Sequence, residues 1–180
     1  MPTKLDYRST HDIEMLAPVR RRDKTTITSG TCTGRLYDSL KRNELAKAAS
    51  AGQAKVTLKD QPRFEIGDVA RLSQAAGVFQ ELTVLLIDWD TKVVTFSGNL
   101  TAASPKGSRI LSKLGADLTM LPFNAAGASY DTKDWGFRIQ VTPAHVGVYV
   151  DMTVQAEAVL DDGAGTIITR SKLVEFTDGV

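Results

Sequence analysis

The sequence predicts a mainly β fold: an antiparallel β-barrel or sandwich with one short helix and an extended N-terminal arm. Three observations lead to this prediction. Apolar and polar residues alternate strictly from Val148 to Ala158, short apolar segments separated by turn residues fill Phe64 to Ile110, and only Ser39 to Ala51 has the features of a helix. A period of two places one set of side chains on each face of a strand, so a sheet is the structure that buries that set.

Residues 1–23 are predicted to form the arm, in front of a β-barrel or sandwich domain that spans residues 24–180. The arm contains Pro2, Pro18 and scattered charges, and its few apolar side chains cannot offset the entropy lost on ordering it. We therefore expect a neighbouring chain to help order the arm. Within the domain, residues 122–135 are rich in Ala, Gly, Asn and Asp and predict a long loop.

The segment after the arm predicts a strand and then the helix. Lys24 to Asp38 is dense in β-branched residues and predicts a strand or a bulged hairpin. Ser39 is a suitable N-cap for a helix over residues 39–51, and Gly52 is a suitable end for it. Ala54 to Lys59 alternates and predicts a short strand.

The central segment predicts further strands joined by tight turns. Gly67 and Asp68 form a turn or bulge signal, and Leu82 to Trp89 is almost continuously apolar, which predicts a strand buried on both faces. Asp88 to Lys92 predicts the hairpin turn after it, because Asp side chains accept hydrogen bonds from their own backbone. Val93 to Phe96 then predicts the returning strand.

The last third of the chain predicts a long antiparallel hairpin. One face of its first strand carries Val148, Val150, Met152, Val154, Ala156 and Ala158. Asp161 to Gly165 is the turn signal, and Thr166 to Phe176 is the predicted partner strand.

Composition sets the broad class of the protein. A chain of 180 residues with a net charge of +1 is long enough to bury a core and has no overall attraction to nucleic acid or anionic membrane. Cys32 is the single cysteine, so an intramolecular disulfide is excluded. No apolar run approaches the roughly 20 residues that span a bilayer, and no secretory signal is present, so we expect a soluble protein made in a cytoplasm.

The sequence predicts no catalytic, cofactor or metal site. The two histidines are His11 and His145, and no motif pairs either of them with Cys32 or a serine. Cysteine pairs and helically spaced histidine pairs, which are typical of zinc sites, are missing from the sequence. Asp88 and Asp90 flank Trp89 within the predicted hairpin turn, and this position explains the two carboxylates better than acid–base chemistry does.

Two groups of residues are the candidates for binding partners. Arg20, Arg21 and Arg22 form the one dense cationic cluster, which suits a solvated junction, an acidic protein surface or, less well, a nucleic-acid backbone. Tyr130, Trp135 and Phe137 lie in or just after the predicted loop. Together with Trp89, these scattered aromatic residues are typical of core or interface anchors, and a sugar-binding platform formed by the four is the alternative.

About a quarter of the chain follows a pattern of short strands and Gly or Asp turns, carried by Phe64 to Val69, Ile87-Asp88, Thr91, Val93 to Phe96, Asn99-Leu100 and Lys106 to Ile110. In this pattern the chain resembles a small β-barrel module that recurs in virion proteins of tailed bacteriophages. The resemblance implies a non-enzymatic structural subunit of the neck, head–tail connector (adaptor or stopper) or head-completion type. Capsid decoration and tail completion are alternatives of the same kind.

The resemblance also implies partners and a location. The subunit would form a ring with copies of itself and bind other virion proteins such as the portal, tail or capsid, with DNA in the lumen as an open possibility and no membrane partner. It would be found in the virion, assembled in the cytoplasm of the bacterial host. Two other classes stay open: a nucleic-acid-binding barrel of the OB or SH3-like kind, and a carbohydrate-binding module.

Overall fold

A computed structural model of the chain describes residues 3–6, 11–16, 31–75, 78–123, 136–141, 152–161 and 167–177. These residues form eleven β-strands, and none of them lies in an α-helix. The chain divides into two compact units: Tyr37–Leu114, which we call the barrel unit, and Met1–Leu36 with Gly115–Val180, which we call the hairpin unit. The predicted mainly β fold is therefore confirmed.

The eleven strands of the described residues are numbered in chain order. They are β1 (Thr3–Asp6), β2 (His11–Leu16), β3 (Thr31–Glu44), β4 (Lys55–Thr57), β5 (Val69–Ser73), β6 (Phe79–Asp88), β7 (Val93–Phe96), β8 (Arg109–Phe123), β9 (Gly136–Val141), β10 (Met152–Asp161) and β11 (Ile167–Thr177). The residue range of β4 falls inside the strand predicted over Ala54 to Lys59.

The barrel unit is a closed ring of strands. Its order is β3-β8-β5-β6-β7-β4, and the pairings of β5 with β8, β5 with β6, β6 with β7 and β7 with β4 are all antiparallel. An antiparallel bridge between Leu45 and Leu58 joins the end of β3 to the end of β4. The Ala46 N–H donates to the Thr57 carbonyl beside that bridge, at 2.9 Å, and this contact closes the ring.

The interior of the barrel unit is filled by apolar side chains that are at least nine-tenths buried. They are Leu45, Ala49, Val56, Leu58, Phe64, Ala70, Leu72, Leu82, Val84, Ile87, Val94, Phe96, Leu100 and Ile110. Most of them come from the segment Phe64 to Ile110, whose predicted antiparallel strands are confirmed. Ala70 and Leu72 of β5 and Val94 and Phe96 of β7 enter this core as alternate residues, because a small barrel has room inside for one face of each strand.

The hairpin unit is built on β10 and β11. These strands pair antiparallel from Met152↔Phe176 to Asp161↔Ile167, so the predicted long hairpin is confirmed. Val154, Ala156 and Ala158 are fully buried on the predicted face. β1 runs parallel to β11, β2 pairs with β9, and β9 also pairs with the end of β8.

The predicted division at residue 23 stays a prediction. Two segments of the predicted arm are β1 and β2, and both pair with strands of the same chain. The predicted loop near 122–135 lies mostly outside the described residues, since Pro122 and Phe123 end β8 and residues 124–135 are not described.

The predicted helix over Ser39–Ala51 is wrong. β3 continues to Glu44, and the chain then passes through bridges from Leu45 to Leu58 and from Ala49 to Ser104. The four-residue spacing of Leu45 and Ala49 suits a helix, but the backbone of each is bonded to a distant segment of the barrel. Tertiary pairing overrides local helix propensity at these positions.

The prediction that Leu82 to Trp89 is buried on both faces is also wrong. Leu82, Val84 and Ile87 enter the core, whereas Leu85 and Leu86 are more than half exposed. The pairing of β6 with β7 shifts register between Val84 and Leu86, so two consecutive residues fall on the outer side of the strand.

The closed core predicts a sharp contrast between two leucines of the barrel unit. Leu58→Ala removes a side chain that is 1% exposed, and we expect it to cost about 2–5 kcal/mol of unfolding free energy because it leaves a cavity. Leu86→Ala is the matched control on the outer side and should change stability by less than about 0.5 kcal/mol. Urea unfolding followed by circular dichroism measures both values. Equal costs would contradict the assignment of inner and outer faces.

Candidate interaction surface

Four large apolar side chains are exposed on consecutive parts of the barrel unit. They are Ile66, Leu85, Leu86 and Trp89, with exposed fractions of 68%, 52%, 57% and 53%. We call them the turn patch, because two turns and one strand bulge hold them outside the core. Monomeric soluble proteins rarely leave large apolar groups together on the surface, and such groups mark sites of association.

Ile66 occupies the corner of a tight turn. The Asp68 N–H donates to the Glu65 carbonyl at 3.1 Å, and Gly67 has a φ of +96°. A positive φ at the third of four residues defines a type II turn, which favours glycine there and directs the second residue outward. The Asp68 carboxylate also accepts a hydrogen bond from the Glu65 N–H at 2.9 Å and fixes the turn.

Lys41 attaches this turn to β3. Its ammonium lies 3.2 Å from one Asp68 carboxylate oxygen and 3.3 Å from a Glu65 carboxylate oxygen. Burial lowers the pKa of Lys41, but hydrogen bonds and charge attraction from Asp68 and Glu65 outweigh burial and raise that pKa overall. The lysine therefore stays charged at neutral pH and holds Ile66 in its exposed position.

The turn lies directly beside the bulge of β6. The Gly67 N–H donates to the Val84 carbonyl at 2.8 Å, and the Val84 N–H donates to the Asp68 carbonyl at 2.9 Å. These bonds extend the pairing of β5 and β6 to the residues before Val69, so the backbone of Ile66 lies beside the bulge that carries Leu85 and Leu86. Hydrogen bonds thus fix the backbone positions of these residues, so binding has to order their side chains but not the backbone that carries them.

Trp89 follows β6 in the predicted hairpin turn. The Asp88 carboxylate accepts hydrogen bonds from the Asp90 and Thr91 N–H groups, each at 3.1 Å. The Thr91 hydroxyl and the same N–H groups lower the pKa of Asp88. Lys92 completes the turn with a φ of +57°, so the prediction of an Asp-stabilised turn at Asp88 to Lys92 is confirmed.

The sequence-predicted partner residues lie elsewhere. Arg20, Arg21, Arg22, Tyr130 and Trp135 are outside the described residues. Phe137 is in β9, where its backbone is opposite Leu16 and Pro122. All of these assignments stay predictions.

Of the turn patch, the sequence indicated only Trp89, as one of the scattered aromatic residues. A signal for Leu85 and Leu86 was present, because a strand buried on one face alternates apolar and polar residues, whereas Val84 to Ile87 is a run of four apolar residues. That run predicts a strand buried on both faces, whereas the structure exposes Leu85 and Leu86 on the surface.

The described residues contain no group of three or more His, Cys, Asp or Glu side chains that could hold a metal ion. Of the residues that the sequence analysis considered for catalysis and set aside, His11 lies in β2 and Cys32 in β3, and His145 is outside the described part of the chain. No helix in that part is long and apolar enough to cross a membrane.

Comparisons with known proteins give weak likenesses, including the following two. No family model matches the chain, and no curated protein matches it. Among solved structures it is similar to VP17, a capsid protein of bacteriophage P23-77, at 14% identity over 96% of this chain and 90% of that one, with a TM-score of 0.23. It is also similar to a chain of the VP16–VP17 complex, which contains the two major capsid proteins of bacteriophage P23-77. That match has 13% identity over 96% of this chain and 92% of that one, with a TM-score of 0.23. Scores of this size do not show a shared fold.

The hydrogen bonds of Asp88 predict a pH-dependent contribution to stability. Its pKa is lowered in the folded state from an ordinary value of 3.8, so the unfolded state binds the proton more tightly. The stabilisation is complete above pH 3.8 and is lost as the pH falls through the folded-state pKa. Asp88→Asn should therefore have a lower urea midpoint than the unsubstituted protein at pH 7, and the difference should shrink below pH 3.8.

The control for this experiment is Asp90→Asn, because the Asp90 carboxylate makes none of these turn hydrogen bonds. Urea midpoints at several pH values, followed by circular dichroism, measure the effect. A difference between Asp88→Asn and the unsubstituted protein that does not change with pH would contradict the role of the charged carboxylate.

Proposed function

We propose that this chain is a non-enzymatic structural subunit of a phage particle, and more specifically a component of a head–tail connector ring. The observation that carries the proposal is the turn patch on a barrel whose interior is already filled with side chains. The apolar side chains that fill the barrel interior leave no room there for a substrate, whereas the patch provides a ready surface for another protein.

The energetics favour association over exposure. Full burial of a large apolar side chain is worth about 1.5–3 kcal/mol, and each of the four patch residues keeps more than half of its surface available. Part of this gain is offset by the loss of translational and rotational freedom on binding. The patch suits the role of an anchor that supplements other contacts, which is how an assembly subunit distributes its interface energy.

The connector ring follows from the resemblance to small barrel modules of tailed-phage virion proteins. Ring subunits use head-to-tail interfaces, in which the patch of one copy meets a different surface of the next. We propose that the cationic cluster Arg20 to Arg22, the aromatic residues Tyr130, Trp135 and Phe137, and the segment 1–23 contribute to contacts with neighbouring copies or with portal, tail or capsid proteins. Capsid decoration and tail completion are the alternative positions in the particle.

If the turn patch is an interface, one charged residue introduced into it should block assembly of the protein into particles. Leu85→Glu should leave the barrel folded, because Leu85 is outside the core, and should abolish incorporation into particles by forcing a buried, unpaired carboxylate at the interface. Leu40→Glu is the matched control: Leu40 is 61% exposed on β3 and is not part of the patch. Sedimentation and electron microscopy of particles from cells that carry this gene measure incorporation.

Two results would count against the proposal. Absence of the unsubstituted protein from purified particles would exclude a virion subunit. Normal incorporation of Leu85→Glu would exclude the turn patch as an interface. Tight, salt-sensitive binding of the purified protein to short oligonucleotides, lost on replacing Arg20 to Arg22 by Ala, would support the nucleic-acid-binding barrel in its place.

A further inference from the structure

An open cleft of about 450 Å³ lies along β4 within the barrel unit. Lys47 and Ala48 form part of one wall, and Lys55 and Thr57 form part of the other. Its volume is within the range of small ligand sites, but it is a trough along a strand and not an enclosed pocket. We call it the edge cleft.

Backbone N–H and carbonyl groups of β4 point toward this cleft. In the pairing with β7, Phe96 N–H donates to the Ala54 carbonyl and Leu58 N–H donates to the Lys92 carbonyl. Positions with ladder bonds alternate along an antiparallel strand, so Lys55 and Thr57 point their backbone groups to the opposite side. The Thr57 carbonyl fits this geometry, because it accepts the bond from Ala46 on that side at 2.9 Å.

The Lys55 N–H and carbonyl have no backbone partner among the described residues. The reason is the path of the segment opposite β4, which runs from Leu45 to Ala49. Leu45 is bridged to Leu58 at the end of β4, whereas Ala49 is bridged to Ser104. Between the two bridges the segment moves away from β4, and the edge cleft opens there. A short stretch of strand edge is therefore unpaired inside an otherwise closed barrel.

The charge of the cleft is positive. Lys47 and Lys55 are the charged residues that line it, both are exposed, and no carboxylate of the described residues forms an ion pair with either. The remaining lining is uncharged: Gln53 and Thr57 are polar, and the other residues, including Ala48, Ala54 and Val93, are small or apolar. Small side chains leave room for a backbone to approach closely.

From these observations we propose that the edge cleft binds an extended, acidic peptide segment of a partner protein as an additional strand beside β4. The Lys55 N–H and carbonyl would exchange hydrogen bonds with the peptide backbone, and carboxylates on alternate peptide residues would lie beside Lys55 and Lys47. Because ladder bonds alternate along β4, Lys55 supplies one hydrogen-bonded pair to the peptide, and the two lysine charges contribute the rest of the recognition. This inference does not depend on the assignment to a phage particle.

A peptide fits the cleft better than a nucleic acid does. The unpaired N–H and carbonyl of Lys55 match a peptide backbone, whereas a phosphate chain accepts hydrogen bonds and has no donor for the carbonyl. Single-stranded nucleic acids also bind through stacking on aromatic side chains, and the lining of the edge cleft contains none.

The charge requirement is tested with two short peptides and the full chain. The probe is an acetylated and amidated five-residue peptide that alternates Glu and Ala, and its control alternates Lys and Ala. In an NMR titration, the acidic peptide should shift the amide signals of residues 47–57, and the basic one should not. The double variant Lys47→Glu, Lys55→Glu should weaken binding about tenfold or more through like-charge repulsion, whereas Lys106→Glu, which is exposed and outside the cleft, should have no effect.

The backbone requirement separates strand addition from simple charge attraction. Lys55→Pro removes the N–H that faces the cleft without removing a ladder bond to β7, and Lys55→Ala removes the same charge but keeps the N–H. We expect Lys55→Pro to bind the acidic peptide at least about tenfold more weakly than Lys55→Ala, which corresponds to about 1.4 kcal/mol. Unchanged signals from the core residues of the barrel unit verify that both variants are folded.

Three results would overturn the inference: no response to the acidic peptide at millimolar concentration, equal binding by Lys55→Pro and Lys55→Ala, or equally tight binding of a short oligodeoxynucleotide with the same lysine dependence. None of these would affect the proposed virion role, since that role rests on the turn patch and on incorporation into particles. Conversely, peptide binding would stand even if the protein were absent from particles.

Discussion

The bridge between Leu45 and Leu58 determines what the barrel unit can do. Both side chains are 1% exposed, and the hydrogen bond from Ala46 to Thr57 joins the first and last strands of the ring beside them. Closure removes most of the open sheet edge and creates one small interior. Each strand of the ring can then bury one face only. Apolar side chains in excess of those that fit on the inner face therefore lie on the outer surface.

β6 illustrates this consequence. The strand carries more apolar residues than one inner face can accept, and the bulge between Val84 and Leu86 assigns two of them to the surface. The neighbouring turns are held by charged groups, Lys41 with Asp68 on one side and Asp88 on the other. Polar interactions thus fix the positions of the apolar residues that are exposed, which is expected for an interface formed before its partner arrives.

Local signals in the sequence were sufficient for some elements and insufficient for others. The hairpin of β10 and β11 and the Asp88 turn were predictable because period-two alternation and Asp turn chemistry act over a few residues. The conformation of Leu45 and Ala49 was not, because their partners, Leu58 and Ser104, are distant in the chain. The exposure of Leu85 and Leu86 was missed for a related reason, since only ring closure determines which face of β6 is inside.

The edge cleft depends on non-local structure in the same way. It exists because the chain opposite β4 changes partner from Leu58 to Ser104 within a few residues, and nothing local to Lys55 reveals that change. Unpaired strand edges are a risk for self-association, and lysine on an edge is a common protection against it, because like charges repel a second copy of the same strand. That protection and the proposed binding are compatible. The charge of Lys55 repels the β4 strand of a second copy and attracts an acidic segment. The same side chain therefore disfavours self-association and favours the proposed partner.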